Sequence, residues 1–324
     1  MGRRLLVTGA AGFIGSHVAE GLLARGDSVV LLDNLNDYYD PSRKRKNLDE
    51  VRAAAKDSRQ FEFVEGDIRD RALVNRLVSS GFDAIVHLAA MAGVRASVAD
   101  PWLYLDVNLT GTLNLLDAAR EFGKPNFVFA STSSAYGATT AVPFVENDPC
   151  DRPLAPYPAS KRSAELLGFS YHHLHGLDFT ALRFFTVYGP RGRPDMMAYK
   201  VFDTMRLGNE VPLYNGGNMH RDWTFVSDIA AGVVAASERR LGYEVINLGR
   251  GEPVLLADFV RSLENLAKKP ARLVPAPMMD ADVAYTYADI SKARRLLGYD
   301  PKVSVQDGVQ QFYDWYVEKV GAFG

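Results

Sequence analysis

Leu5-Leu6-Val7-Thr8-Gly9-Ala10-Ala11-Gly12-Phe13-Ile14-Gly15 stands near the start of the chain and sets its fold. The apolar run reads as a short strand and the glycines as a turn. Val18, Leu22 and Leu23 then continue with helical spacing. Strand, glycine turn and helix, in that order, are the context that gives a glycine motif meaning. Glycines let the backbone turn sharply and approach a pyrophosphate, which rests on the amide donors of a helix N-terminus. Gly9, Gly12, Phe13, Ile14 and Gly15 are therefore candidate cofactor contacts. The spacing Gly-x-x-Gly-x-x-Gly is one residue longer than the commonest dinucleotide fingerprint. The next strand, Val29-Val30-Leu31-Leu32, ends in Asp33, about twenty residues beyond the glycines. A carboxylate there binds the adenine ribose hydroxyls and repels a 2′-phosphate, which argues for NAD over NADP. Asn34 and Asn36 follow on the same edge.

The alternation continues. Phe61-Glu62-Phe63-Val64 reads as a strand ending at Gly66-Asp67-Ile68, with a helix through Leu73 and Leu77. Ala84-Ile85-Val86-His87-Leu88 is a strand ending at Ala89-Ala90, and His87 within it reads as a packed histidine. A long helix is expected from about Pro101 to Phe122. Asn126-Phe127-Val128-Phe129-Ala130 is another buried strand. Nearly continuous apolar strands between helices predict an α/β, doubly wound parallel (Rossmann-type) sheet, covered on both faces. Ligands of such sheets sit beyond the carboxyl ends of the strands. That places Asp67, Ile68, Leu88, Ala89 and Ala90 beside the cofactor. Arg43-Lys44-Arg45-Lys46 is a short basic run that would serve a cofactor phosphate or, more commonly, form a solvated face.

The chain has 324 residues, with 47% hydrophobic and 23% charged, an ordinary composition for a globular enzyme. A formal net charge of -2 gives no basic field for nucleic acid or membrane. A single cysteine, Cys150, excludes an internal disulfide framework and suits a reducing compartment. The first apolar run is too short for a signal peptide, and no stretch reaches transmembrane length. The expectation is a soluble, cytoplasmic protein with no metal site.

Tyr157-Pro158-Ala159-Ser160-Lys161 carries the chemistry. A tyrosine and a lysine four residues apart share one face of a helix. Free tyrosine has a pKa of about 10. A neighbouring ammonium would lower it, so that the phenol acts as a base near neutral pH. Pro158 suits the first helical position, which would set Tyr157 at the helix entrance. Just upstream, the strand at 126–130 delivers Ser131-Thr132-Ser133-Ser134-Ala135-Tyr136-Gly137 to the ligand edge.

Glycine motif, hydroxyl cluster and Tyr-x-x-x-Lys, in this order, resemble the extended short-chain dehydrogenase/reductase family over essentially the whole chain. The resemblance implies that Tyr157 is the base, that Lys161 holds the cofactor ribose and lowers the phenol pKa, and that Thr132 binds the reacting oxygen. Thr132 occupies the slot four residues before Tyr136, although Ser131, Ser133 and Ser134 are adjacent alternatives. Asn108, in Val107-Asn108-Leu109-Thr110, matches an asparagine near the nicotinamide; otherwise it is a polar residue on a helix face.

Longer strings resemble nucleotide-sugar 4-epimerases, and among them the UDP-glucuronate 4-epimerases. They are Asp33 to Pro41, Ala92-Gly93-Val94-Arg95, and Leu182 through Arg193 to Met196. Pro158, Met91 and Ala96 depart from the usual pattern. Past residue 185 the strands thin out and prolines and glycines become more frequent. The reading divides the chain into a cofactor domain at 1–185 and a mainly sugar-nucleotide-binding lobe at 186–324, with a segment near 225–250 returning to the sheet. In that lobe the resemblance puts Arg221 at the diphosphate; the alternative is an ion pair with Asp222 or Asp228. It puts Asp282 near the uridine ribose, although the arginine often found upstream is replaced by Met278-Met279.

The implied reaction is NAD-dependent 4-epimerisation of UDP-glucuronic acid through a 4-keto sugar. That intermediate carries a carboxylate beta to a ketone and loses CO2 when the bond to the carboxylate aligns with the carbonyl π system. Arg193, Thr186, Ser133 and Ser134 are the candidates for holding the carboxylate out of alignment, and Arg95 joins them as a substrate contact. A decarboxylase of the same substrate usually carries an acidic residue beside the threonine, where Ser133 and Ser134 stand. A 4,6-dehydratase needs an Asp-Glu pair there, and an epimerase of neutral UDP-hexoses has no use for a cation at 193. A non-catalytic NAD-binding protein would not need Thr132, Tyr157 and Lys161 together. Family likeness also implies a homodimer, through the helix at 101–122 and the one starting at 158.

Overall fold

The computed structural model describes residues 2–323. Its first part alternates as the apolar runs predict: β1 (Arg4–Thr8), α1 (Phe13–Arg25), β2 (Ser28–Asp33), α2 (Pro41–Ala54), β3 (Phe61–Glu65), α3 (Arg71–Val78) and β4 (Ala84–His87). Then come α4 (Val94–Ala99), α5 (Pro101–Leu105), α6 (Gly111–Glu121), β5 (Asn126–Thr132), α7 (Pro156–His175) and β6 (Phe179–Phe184). Beyond these lie β7 (Thr186–Tyr188), α8 (Met197–Leu207), β8 (Glu210–Tyr214), β9 (His220–Phe225), α9 (Val226–Glu238) and β10 (Tyr243–Leu248). The chain closes with β11 (Pro253–Leu255), α10 (Leu256–Ala267), β12 (Arg272–Ala276), α11 (Ser291–Leu297) and α12 (Val305–Lys319).

Among the described residues the main sheet runs β3-β2-β1-β4-β5-β6-β10, every pair parallel. Strand side chains alternate between two fully covered faces. Leu5, Val7, Leu31, Val86 and Val128 pack under α1, α2, α9 and α11, while Leu6, Leu32, Ile85, Phe127 and Phe129 pack under α3, α6 and α7. The strand order reverses between β1 and β4, which opens a crevice at their carboxyl ends. The return of 244–249 to this sheet appears as β10, paired with β6.

A separate apolar cluster builds the lobe over that edge. Tyr199, Phe202 and Met205 of α8 meet Phe259 and Leu263 of α10 and Phe312 and Tyr316 of α12, with Trp223 stacked on Phe259. The lobe carries a small sheet of β11, β9 and β7 and the pair β12–β8.

Local geometry differs from the sequence expectation at four places. The helix from 101 is not uniform: Asp106–Thr110 forms a π turn between α5 and α6. Helix α7 starts two residues earlier than Pro158 suggests. Pro156 takes the first helical position, where a missing N–H costs nothing, so Tyr157 and Pro158 both lie inside the first turn. Helix α10, which the sequence reads as a helix from Leu255 to Lys268 covering the strand at 244–249, packs in the lobe and does not cover β10. Strand β6 is not evident in the apolar pattern because the buried Arg183 interrupts it.

Candidate active site

Gly9 lies between the crevice walls. Its φ is +68°, and a Cβ there would stand 2.6 Å from the amide nitrogen of Ala89, so only glycine lets the β1 turn pass the end of β4. A Cβ on Gly15 would run into the Gly9 carbonyl. Helix α1 begins at Gly12 with no side-chain cap, which leaves its first amides for an anion. At the end of β2 the Asp33 carboxylate is buried. It accepts from the Ala11 amide at 3.0 Å and the Leu35 amide at 2.9 Å. Burial raises its pKa, opposed by these amides and by Lys44. Asp67 is held down to about 2, mainly by hydrogen bonds from Arg69, and accepts from Asn34 at 2.9 Å.

These groups line one cavity of about 400 Å³. Gly9, Gly12, Phe13, Ile14, Gly15, Asp33, Asn34, Asn36, Asp67, Ile68, Leu88, Ala89 and Ala90, the residues the sequence offers for a cofactor, all line it. Thr132, Ser133, Ser134, Tyr157, Lys161, Thr186 and Arg193 line the same cavity, with Thr132 and Arg193 close enough to act on the Tyr157 phenol. The glycine turn, the uncapped helix and the strand-end carboxylate fit a dinucleotide without a 2′-phosphate.

Asn108 does not line the cavity; it is fully buried behind it. Placed by the π turn, its carboxamide accepts from the Met91 amide at 2.8 Å. It donates at 3.0 Å both to the Met91 carbonyl and to the Ser160 hydroxyl. It thus ties the end of β4 to the helix that bears Tyr157 and Lys161.

The hydroxyl cluster separates by partner. Ser131 donates to Glu165 at 2.5 Å and is committed inward. Glu165 is itself fully buried and chelated by Arg183 through two hydrogen bonds, of 3.0 and 2.8 Å. Thr132, one residue on, faces the cavity and accepts from the Ser134 amide at 3.1 Å. Both residues border the cavity, but alternation along β5 turns the Ser131 hydroxyl inward to Glu165 and leaves that of Thr132 on the site.

The electrostatics of Tyr157 differ from the sequence expectation. Burial raises its pKa, and the groups that pull against that are a Thr132 hydrogen bond and the Arg193 charge. The Lys161 ammonium sits 4.7 Å from the centre of the Phe129 ring. Burial lowers its own pKa to about 7, with Glu165 opposing. Near neutral pH such an amine carries its charge only about half the time, which weakens the field it lends. His87 is the packed histidine foreseen: its two ring nitrogens meet Thr8 and Thr112 hydroxyls at 2.8 and 2.9 Å.

Two smaller clefts adjoin the cavity, and Thr186 lines all three. Arg221 and Asp282 line both clefts; Arg95 lines one. The alternative ion pair for Arg221 does not form. Asp222 instead accepts from Thr224 and from the amides of Arg250, Gly251 and Ala288, and Asp228 accepts from the amides of Lys302 and Val303. Arg221 donates only to carbonyls, of His220 and Ala284. Arg95 pairs with Asp282 at 2.6 Å and lies 3.6 Å over the Tyr214 ring.

Sequence reasoning did not single out Lys44, Asp195 or Glu165. Lys44 is the one buried member of the basic run, and its ammonium ties down the Asn36 carbonyl and side chain at 2.7 and 2.8 Å. Glu165 stands four residues after Lys161, on the same helix face, and this spacing was the available signal. Asp195 shared a string with Arg193.

A doubly wound sheet with a dinucleotide crevice, and a tyrosine, a lysine and a threonine at its mouth, define an enzyme of hydride chemistry on a hydroxyl or ketone. The model of the NAD dependent epimerase/dehydratase family matches residues 5–249, and the chain belongs to that family. A UDP-glucuronate 4-epimerase of Thermodesulfobacterium geofontis is 44% identical over 317 residues, 97% of this chain and 96% of that one. The structure of UDP-glucuronic acid 4-epimerase from Bacillus cereus, in complex with UDP-glucuronic acid and NAD, superposes with a TM-score of 0.89. It is 35% identical, over 97% of this chain and 99% of that one. A dTDP-glucose 4,6-dehydratase from Streptomyces venezuelae, with NAD bound, reaches 0.90 at 32% identity, over 98% of this chain and 97% of that one. Backbone likeness alone therefore does not separate the two chemistries.

Proposed function

We propose that this chain is an NAD-dependent isomerase that epimerises UDP-glucuronic acid at C4 to UDP-galacturonic acid. The observation that carries the reading is Arg193 in the wall of the cavity that Tyr157 and Thr132 also line, its charge acting on the Tyr157 phenol, with Ser133, Ser134 and Thr186 lining the same cavity. A cation with three hydroxyls suits a carboxylate on the reacting sugar. Ser133 and Ser134 also stand where a dehydratase needs its acidic pair.

NAD, when bound, takes the hydride from C4 and gives it back. Tyr157 accepts the 4-hydroxyl proton and later returns it. Thr132 hydrogen-bonds the 4-oxygen in both states. Lys161 holds the cofactor ribose, which supplies the partner its buried amine lacks. Arg221, half-buried and without a carboxylate of its own, binds the diphosphate, where its planar fork matches paired phosphate oxygens. Arg95 joins it by exchanging Asp282 for phosphate, and Asp282 is then released toward the uridine ribose. The nucleotide stays anchored on the lobe, 186–324, while the sugar turns over the cofactor domain, 1–185.

A homodimer is part of this reading. It is supported by exposed apolar side chains on adjoining helices: Trp102 at 80% exposure on α5, Leu113 on α6, and Leu166 and Phe169 on α7. A cytoplasmic setting is supported by the single cysteine, which is free and buried. Among the described residues no helix is long and apolar enough to cross a membrane.

The test is incubation of the purified protein with UDP-glucuronate, with products read by proton NMR. UDP-galacturonate alone is the expected outcome. A UDP-pentose would transfer the protein to the decarboxylases, and an inert mixture supplemented with NAD would remove UDP-glucuronate as substrate.

A further inference from the structure

Arg193 is already engaged before any substrate arrives. Its Nε and Nη2 donate side by side to Oδ1 and Oδ2 of Asp195, both at 2.9 Å. The Tyr38 hydroxyl donates to the same Oδ2 at 3.2 Å, and the Tyr38 ring centre lies 5.8 Å from the guanidinium carbon. Burial works against ionisation of Asp195, but the hydrogen bonds and charge of Arg193 outweigh it and hold the group below the ordinary carboxylate range. Arg193 lines the main cavity, whereas Asp195 lines the neighbouring cleft with Arg95 and Arg221. The pair therefore stands in the wall between the two chambers. Tyr38 reaches it from the loop after β2, in the cofactor half of the molecule.

A guanidinium is planar and carries five donor hydrogens in a fixed fork. With its Nε/Nη2 edge taken by Asp195, the edge left for an incoming carboxylate is Nη1 with the outer hydrogen of Nη2. A carboxylate partner that fixes one edge also fixes the plane of the other. It lowers the local net charge as well, so its contribution to substrate binding is orientation rather than attraction.

We propose that Asp195, supported by Tyr38, is a positioning residue: it presents one fixed edge of Arg193 to the sugar carboxylate and so sets the angle between that carboxylate and the C4 ketone. The proposal rests on the UDP-glucuronate reading above. In the 4-keto sugar the C5–C6 bond can break with its electron pair entering the C4 carbonyl as an enolate. CO2 then leaves, and C5 takes a proton from water to give a UDP-4-keto-pentose; the two electrons taken from C4 stay with the cofactor, so each such turnover consumes one NAD, which the assay supplies. The step needs the C5–C6 bond parallel to the carbonyl π orbital. An Arg193 free to swing accepts the carboxylate at many angles, that one included.

The test compares the parent enzyme with Asp195→Asn and Tyr38→Phe, each checked for NAD content and melting temperature. Affinity for UDP-glucuronate is measured by titration, and products by proton NMR together with released CO2. A purely structural residue would weaken binding and turnover together. The expectation for Asp195→Asn is affinity held or tightened, epimerisation slowed roughly tenfold or more, and CO2 with UDP-4-keto-pentose emerging as products. Tyr38→Phe shifts the product ratio the same way by less, and it decides the matter if Asp195→Asn does not fold. Parental rates and UDP-galacturonate as sole product in the folded variants overturn the inference while leaving the substrate reading intact. A parent enzyme inert on UDP-glucuronate overturns the substrate reading first, and the inference with it.

Discussion

Tyr157 works in a setting that opposes its task. Burial favours the neutral phenol, and the groups that counter it are Thr132 and Arg193. Replacing Tyr157 by Phe removes the proton acceptor without touching the glycine turn or Asp33, so turnover should vanish while bound NAD persists. Retained epimerisation would assign the base elsewhere. Arg193 has two duties under this reading. Arg193→Ala is expected to weaken UDP-glucuronate binding by about 2 kcal/mol, the scale of a charge-assisted contact. It should also move the acid limb of the kcat profile to higher pH, because loss of the cation makes the phenolate harder to form. An acid limb that stays in place would separate Arg193 from the base. Lys161 gives a stability test with a definite sign. Its pKa is about 7 in the cofactor-free fold, against an ordinary 10.5. Between those pH values the unfolded chain holds a proton that the folded chain lacks. The burial penalty is therefore full below about 7 and fades as the pH rises toward 10.5. Lys161→Met should raise the Tm of the cofactor-free protein at about pH 6 and much less at about pH 10. Equal shifts at both would mean that the amine is not desolvated.

Elements carry these residues with unequal legibility. The inner strands β1, β2, β4 and β5 were plain in the sequence because both faces of a parallel sheet are covered and such strands become nearly continuous apolar runs, while the edge strand β3 showed as apolar residues interrupted by Glu62 and Glu65. The glycine turn was plain because strand, turn and helix are contiguous. Strand β6 was hidden by Arg183, whose charge is answered by Glu165 from helix α7. No local pattern announces a partner eighteen residues away in the chain. The same limit applies to Lys161. Its i,i+4 relation to Tyr157 was legible, but the lowering of its pKa depends on how deeply α7 is packed. The π turn at Asp106–Thr110 was equally invisible, since its sequence continues a helical pattern. Its consequence is specific: Asn108 points to Met91 and Ser160. Asn108→Ala strands the Met91 amide and carbonyl without partners in a buried place. The expected cost is about 3 kcal/mol of folding stability, read as a lower midpoint in urea with unchanged slope. A loss under about 0.5 kcal/mol would mean that water replaces the carboxamide.

At the scale of the whole molecule, the features of one chain point to a second copy. Trp102, Leu105 and Leu113 fall along α5 and α6, Leu166 and Phe169 along α7, and all five are exposed. Solvated single hydrophobics are ordinary, but a run of them on adjoining helices marks an interaction surface. The same helices hold the machinery from behind: α7 carries Tyr157 and Lys161 on its other face, and the π turn presents Asn108. A partner seated on this surface would buttress the catalytic helix without entering the cavity. Charge placed there should therefore act on assembly first and on catalysis second. Trp102→Glu combined with Phe169→Glu is expected to convert a dimer to a monomer in light scattering. NAD stays bound, because no cofactor contact is altered. Epimerisation should fall with dissociation and recover in the single variants where the dimer reforms at high protein concentration. A parent protein that is monomeric at every concentration would refute the dimer. A dimer that survives both glutamates would place its interface on another face.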